Sequence, residues 1–271
     1  MPEYDLTRTM PNGDLLGYRD EDHSYWLAGK RIAACSTLVG TLNKFNLTRR
    51  GGWIERETAI GTYTAAKQGE LDDVPPEDLW ERVRMLGYGC GKTDQAADRG
   101  KITHNVMEGI AETGTVPNPA EVPEIARGWV RGAVAAWRAL DVSEVVEREQ
   151  IVCHPELGFA GRFDLLAITR SPLTGEKVLS LLDYKSSDKG TVWSEAHWQT
   201  RLYALAIRES MGLTVERIVI VGIGNDGGFE LVECECTEDE ARALALVYAT
   251  QKKIGRQMSA QRRVMKAALA A

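Results

Sequence analysis

No run of about 18 apolar residues occurs in this chain of 271 residues, so nothing in it reads as a membrane span. Its opening, MPEYDLTRTMPNGD, lacks both the basic start and the apolar core of a signal peptide. Cysteine is sparse. The five thiols, Cys35, Cys90, Cys153, Cys234 and Cys236, are odd in number and scattered, which argues against a disulfide framework and fits a reducing cytoplasm. Only Cys234 and Cys236 are close; as Cys-x-Cys in a strand they share one face and read as two small buried residues. The net charge of -6 disfavours a general polyanion binder. Acid is nevertheless absent from Gln251 onward, where Lys252, Lys253, Arg256, Arg262, Arg263 and Lys266 fall together. That tail reads equally as a solvated helix or as an arm touching phosphates.

What is present suits a globular protein with a sizeable core: 44% hydrophobic and 27% charged residues. HSYWLAGKRIAA (His23 to Ala34) predicts a hairpin turning near Ala28-Gly29. Ser36 or Thr37 is placed to cap a helix running to about Asn46. Helices are expected from Arg49 to Gln68, from Glu77 to Leu86 after the Pro75-Pro76 break, and from Thr93 to Glu112. Another is expected from Pro123 to Leu140, with Ile125, Trp129, Val130, Val134 and Trp137 on one apolar face.

The texture then changes. Glu144 to Val152, Phe159 to Ile168 and Val178 to Lys185 predict three strands, the last two joined as a hairpin by SPLTGEK. A helix from about Trp193 to Met211, strands Val215 to Ile223 and Gly228 to Cys236, and a long final helix capped by Thr237 complete the pattern. The expected fold class is α/β (α+β). A mostly helical N-terminal region (1-140) leads into a β-rich core (141-250) and a basic tail (251-271).

Two glycine-rich segments imitate nucleotide sites. LGYGCGKT (Leu86 to Thr93) ends like a phosphate-binding loop, but the first glycine of that pattern is replaced by Leu86 and no strand precedes it. GIGNDG (Gly222 to Gly227) is followed by GFELVEC, which alternates like a strand, so Asn225-Asp226-Gly227-Gly228 reads as a hairpin turn. No nucleotide cofactor is expected.

The chemistry is concentrated elsewhere. Asp183 and Lys185 follow the apolar run Val178 to Leu182, so they end a buried strand on one face while Tyr184 faces away. The hairpin brings Asp164 of the preceding strand beside them. Two adjacent carboxylates repel unless a cation lies between them. Oxygen ligands favour Mg²⁺ or Mn²⁺, as one or two ions. Such an ion activates water and polarises a phosphodiester. Taken alone, Asp-x-Lys is an ordinary surface ion pair; three charges clustered at the end of a buried strand are costly without a role.

In combination these motifs resemble the PD-(D/E)XK nuclease superfamily, in its RecB-like and phage exonuclease branch. The resemblance rests on Gly161-Arg162-Phe163-Asp164, then Asp183-Tyr184-Lys185, then Gln199 and Tyr203 at helical spacing. Upstream, AADRGKITHNVMEGI carries the family's Arg-Gly-x-x-x-His segment. The resemblance implies a restriction-endonuclease-like mixed sheet flanked by helices. It also implies metal ligation by His104, Asp164, Asp183 and the carbonyl of Tyr184. Catalytic roles then fall to Lys185, Gln199, Tyr203 and Glu149. Arg99, Arg162, Trp193, Lys252, Lys253 and Arg256 are the candidate DNA contacts. Trp198 reads equally as a packing residue.

The activity implied is hydrolysis at DNA ends in phage recombination or repair. The alternatives are a sequence- or structure-specific endonuclease and a silent DNA-binding module. A single-strand annealing or recombination protein is the implied partner, and an oligomer is compatible. Two features depart from the family pattern. The second acid is Asp183 rather than the commoner Glu. Only Cys234 and Cys236 follow Gln199, so the four thiolates of the iron–sulfur cluster found in some relatives cannot be assembled.

Overall fold

The computed structural model describes residues 3–42, 62–75, 77–79, 92–187 and 189–270, with side chains omitted for 92–99 and 267–270. Their centre is one mixed sheet of nine strands: β1 (Leu6–Thr9), β2 (Leu15–Arg19), β3 (Ser24–Leu27), β4 (Lys30–Ala34), β5 (Val142–His154), β6 (Phe159–Arg170), β7 (Lys177–Ser187), β8 (Arg217–Gly224) and β9 (Phe229–Glu233). Strands β1 to β4 form an antiparallel meander. The predicted β3–β4 hairpin turns through Ala28 (φ 48°) and Gly29 (φ 75°), the positive-φ pair that matches strand twist. β1 and β2 were not anticipated. β4 joins the main sheet by a short parallel pairing, Ala33 with Phe159 and Ala34 with Ala160.

The chain then enters α1 (Cys35–Val39), whose N-cap is Ala34 with no side-chain cap bond. Neither Ser36 nor Thr37 caps it, because β4 runs straight into the helix and leaves both inside the first turn. The expected end near Asn46, most of the Arg49–Gln68 and Glu77–Leu86 helices, and all of LGYGCGKT before Lys92 lie outside the described residues; 62–67 and 77–79 are helical. α2 (Lys92–Thr113) and α3 (Arg127–Leu140) cover one face of the sheet. Ile125 sits in the 3₁₀ turn Glu124–Ala126, 83% exposed, so it is not on the apolar face. The turn rotates it off the stripe that Trp129, Val130 and Val134 bury.

α4 (Ser194–Met211) makes the crossover between the parallel strands β7 and β8. It ends at Gly212 with φ 68°, the left-handed cap glycine tolerates. α5 (Glu238–Ala270) starts with the expected box: the amide of Thr237 donates to Glu240 Oε2 (2.8 Å), and the amide of Glu240 to Thr237 Oγ1 (3.3 Å). The GIGNDG segment is the β8–β9 hairpin. Its backbone lies so close to α3 that a Cβ on Gly128 would collide with the carbonyl oxygen of Asn225. β9 stops at Glu233, so Cys234 and buried Cys236 lie beyond the strand, as free thiols. No helix among the described residues is long and apolar enough to cross a membrane.

Two cores sandwich the sheet. On one face Phe163, Leu166 and Leu181 pack with Leu202, Tyr203 and Leu205 of α4 and with Ala241 and Leu244 of α5. Trp198 packs against this core from its edge. On the other face Leu165, Leu182, Tyr184 and Val221 meet Met107 of α2 and Trp129 of α3. Each fully buried Leu or Phe contributes about 1.5–3 kcal/mol, enough to fix the register of every strand that carries the site.

Candidate metal centre

The site lies where β6 and β7 part. Their pairing runs from Arg170 with Lys177 to Leu165 with Leu182. Beyond that point the amide of Tyr184 donates to Asp164 Oδ2 at 2.7 Å. A side chain thus closes the fork that a ladder bond leaves open.

Asp164 also interrupts the alternation of β6. Phe163 belongs to the core under α4, whereas Leu165 belongs to the core under α2 and α3. The partner strand is irregular at the same level. Gln150 pairs with Phe163 and Arg148 with Leu165, while Glu149 between them has φ 50°. Past that left-handed kink both Arg148 and Glu149 reach residues of α2. Arg148 binds Glu112 at 2.8 Å, and the Glu149 carboxylate reaches His104 and Asp164. One ligand atom each from His104, Glu149 and Asp164 lies within 4.8 Å of the other two. His104 Nδ1 is 3.8 Å from Asp164 Oδ1, and its ring stands edge-on to Tyr184.

Asp183 is not in this trio. Strand alternation sends Asp183 and Lys185 toward the α4 face, opposite Leu182 and Tyr184. Asp183 is 1% exposed; its Oδ2 meets Lys185 Nζ at 2.7 Å, and its Oδ1 has no hydrogen-bond partner among the described residues. Burial pushes the Asp183 carboxyl up to about 6, against the pull of Lys185 and with help from the nearby charge of Asp164. Burial lowers Lys185, but Asp183 and Asp164 outweigh it, and the ammonium stays firmly charged. Glu149 is pushed up to about 7, first by burial and then by Asp164.

Gln199 donates to Tyr203 Oη one helical turn along α4. Tyr203 lies against β6 only because Gly161 has no side chain; a Cβ there would run into the tyrosine ring. The Gly161 and Tyr203 of the sequence pattern are therefore one contact. Arg162 pairs with Glu149 at 3.0 Å, its guanidinium over the Tyr18 ring at 5.5 Å. Trp193 is the N-cap of α4 and 65% exposed. Arg99 is in α2, its side chain outside those described. Lys252, Lys253 and Arg256 stand exposed on α5, far along the chain from the trio.

A cavity of about 270 Å³ opens beside the trio, lined by His104, Glu149 and Asp164 and by Tyr18, His23 and Tyr25 of the meander. The meander residues were not foreseen. The signal available was the hairpin His23 to Ala34, which carries His23 and Tyr25; LLGYR, which buries Tyr18, offers none.

The residues fit a hard divalent cation. Carboxylate oxygens and one imidazole converge, and a buried carboxylate oxygen lacks a protein partner. A model of the PD-(D/E)XK nuclease superfamily matches residues 80–268. No curated protein matches the chain.

Proposed function

The chain belongs to the PD-(D/E)XK nuclease superfamily, and on that premise we propose that it is a Mg²⁺- or Mn²⁺-dependent DNA exonuclease that acts on strand ends in phage recombination or repair. The observation that carries this reading is the convergence of His104, Glu149 and Asp164 at the β6–β7 fork, next to the buried Asp183–Lys185 pair.

In this reading His104, Asp164, Asp183 and the carbonyl of Tyr184 hold the cation, with Glu149 beside them. When bound, the cation polarises the phosphodiester and lowers the pKa of water. The chain supplies the rest. Lys185, kept charged by two carboxylates, stabilises the charge that builds on the phosphoryl oxygens. Glu149, titrating near neutrality, accepts or releases a proton at its carboxylate. Gln199, tied to Tyr203, orients the group above β6. Residues 141-250 form the catalytic core and 1-140 the wall that brings His104. Arg99, Arg162 and exposed Trp193 contact the strand near the site, and 251-271 form a basic arm on the DNA backbone. A single-strand annealing or recombination protein in the same cytoplasm is the partner that consumes the resected strand.

End-labelled linear DNA and a covalently closed circle, each incubated with Mg²⁺ or Mn²⁺, test the reading. Loss of label from linear DNA with an intact circle is expected. Cutting of the circle overturns the exonuclease assignment, and undiminished cutting in EDTA overturns the metal dependence.

A further inference from the structure

The cluster holds three carboxylates, and two of them already have a fixed cation. Asp183 has Lys185 at 2.7 Å, and Glu149 has Arg162 at 3.0 Å. Asp164 has His104 at 3.8 Å and the Tyr184 amide, but neither Lys nor Arg among the described residues. Arg162 is not a loose surface charge. Its guanidinium sits over the ring of Tyr18, itself 3% exposed and bonded to His23 Nδ1 at 2.8 Å. The meander therefore fixes where this positive charge lies.

Resting on the metal-dependent reading above, we infer that Arg162 takes the place of a second metal ion and holds the centre to one divalent cation per chain. The charges support this stoichiometry. With all three carboxylates ionised, the state a bound cation selects, the two fixed cations leave one negative charge. One divalent ion turns that to a single positive charge, and the scissile phosphodiester, with one negative charge, neutralises it. A second ion would leave three positive charges before substrate arrives. It would also need the carboxylate of Glu149, whose Oε2 the Arg162 guanidinium occupies. Like charges at such a distance repel in a half-buried site far more than in water. Arg162 thus acts on metal number through Glu149, as a positioning residue whose effect is visible without any turnover.

The test is Mn²⁺ binding to purified full-length protein without DNA, counted by the paramagnetic resonance of free Mn²⁺ and by calorimetry. Wild type should take up one ion. Arg162→Gln, which keeps a shorter polar side chain but not the charge, should take up two, the second weaker by about tenfold or more. Arg162→Lys, which restores the charge, should return to one, as should Arg162→Gln combined with Glu149→Gln. Thermal melting checks that each variant is folded; should Arg162→Gln fail that check, Arg162→Met, which keeps an apolar stem beside Tyr18 without the charge, takes its place and should also bind two ions. Two ions in wild type, or one ion in a folded Arg162→Gln or Arg162→Met protein, overturns the role given to Arg162. No ion in wild type overturns the metal reading itself.

Discussion

The Asp164 carboxylate accepts the backbone amide of Tyr184 at 2.7 Å, just beyond Leu165 and Leu182, the last ladder pair of β6 and β7. The bond does two things. It pins one carboxylate oxygen, leaving the other toward His104, and it fixes the Tyr184 peptide between Asp183 and Lys185. Asp164→Asn keeps the shape but loses a charge. It should cut cleavage by at least ~10²-fold, the scale seen when a charge-stabilising group is removed, while melting within a few degrees of wild type. Asp183→Asn and Lys185→Ala should do the same. Full activity in any of the three, measured on linear DNA, rules out this site.

Glu149 carries a left-handed backbone, φ 50°, with a full side chain. That conformation costs a non-glycine residue about 1–2 kcal/mol. The strain persists because it aims the carboxylate at His104 and Asp164. Glu149→Gly and Glu149→Ala both remove the carboxylate, so both should lose activity, but only glycine releases the strain. Glu149→Gly should therefore unfold at higher denaturant than Glu149→Ala, by about 1 kcal/mol. Equal stability of the two would mean that the kink is not strained.

The metal-free protein should lose stability as pH rises through the acid-to-neutral range. In the folded state Asp183 stands at about 6 and Glu149 at about 7, against ordinary values of 3.8 and 4.5. Between the ordinary and the raised values the native state holds protons that the unfolded chain has released. Stability therefore falls with increasing pH, and the contribution of these two groups is greatest below 3.8. A cation that binds the ionised form offsets the loss. Melting in EDTA should drop between pH 5 and pH 8, Mg²⁺ should recover most of the drop, and Asp183→Asn with Glu149→Gln should flatten the EDTA curve. A double variant as pH-sensitive as wild type would place the titrating groups elsewhere.

How much of the molecule is legible in its sequence follows from where side-chain pattern decides structure. The strands around Asp164 and Asp183 were readable because long apolar runs and alternation leave one register that buries them. The capping box at Thr237 was readable because it is local chemistry. The adjacency of Gly161 to Tyr203 was present only as two letters of a pattern; its cause is a close approach between a strand and a later helix that no local rule encodes. The kink at Glu149 was hidden for a related reason. Glutamate is a poor marker of positive φ, and only its place opposite Asp164 makes the conformation useful. β1 and β2 were too short and too mixed in polarity to register. With them went Tyr18, which lines the cavity and lies under the Arg162 guanidinium.

The last prediction concerns α5. Its first turns are anchored by Ala241, Leu244 and Ala245, whereas every side chain described from Gln251 to Lys266 is exposed. Along that stretch Lys252, Arg256 and Arg263 recur at helical spacing on the exposed helix, with no acid to neutralise them. If this face follows a DNA backbone, its contribution is counterion release and therefore salt-dependent. Every phosphate that is no longer neutralised lowers the slope of log affinity against log salt by about 0.9. Replacing Lys252, Lys253 and Arg256 together by Gln should thus reduce the slope by about 2–3 and weaken binding at low salt. Cleavage of saturating substrate should stay unchanged, since none of the three lines the cavity beside His104, Glu149 and Asp164. An unchanged slope would show that this helix is solvated and that the DNA runs elsewhere, and a slower turnover at saturation would place these residues closer to the chemistry than the fold puts them.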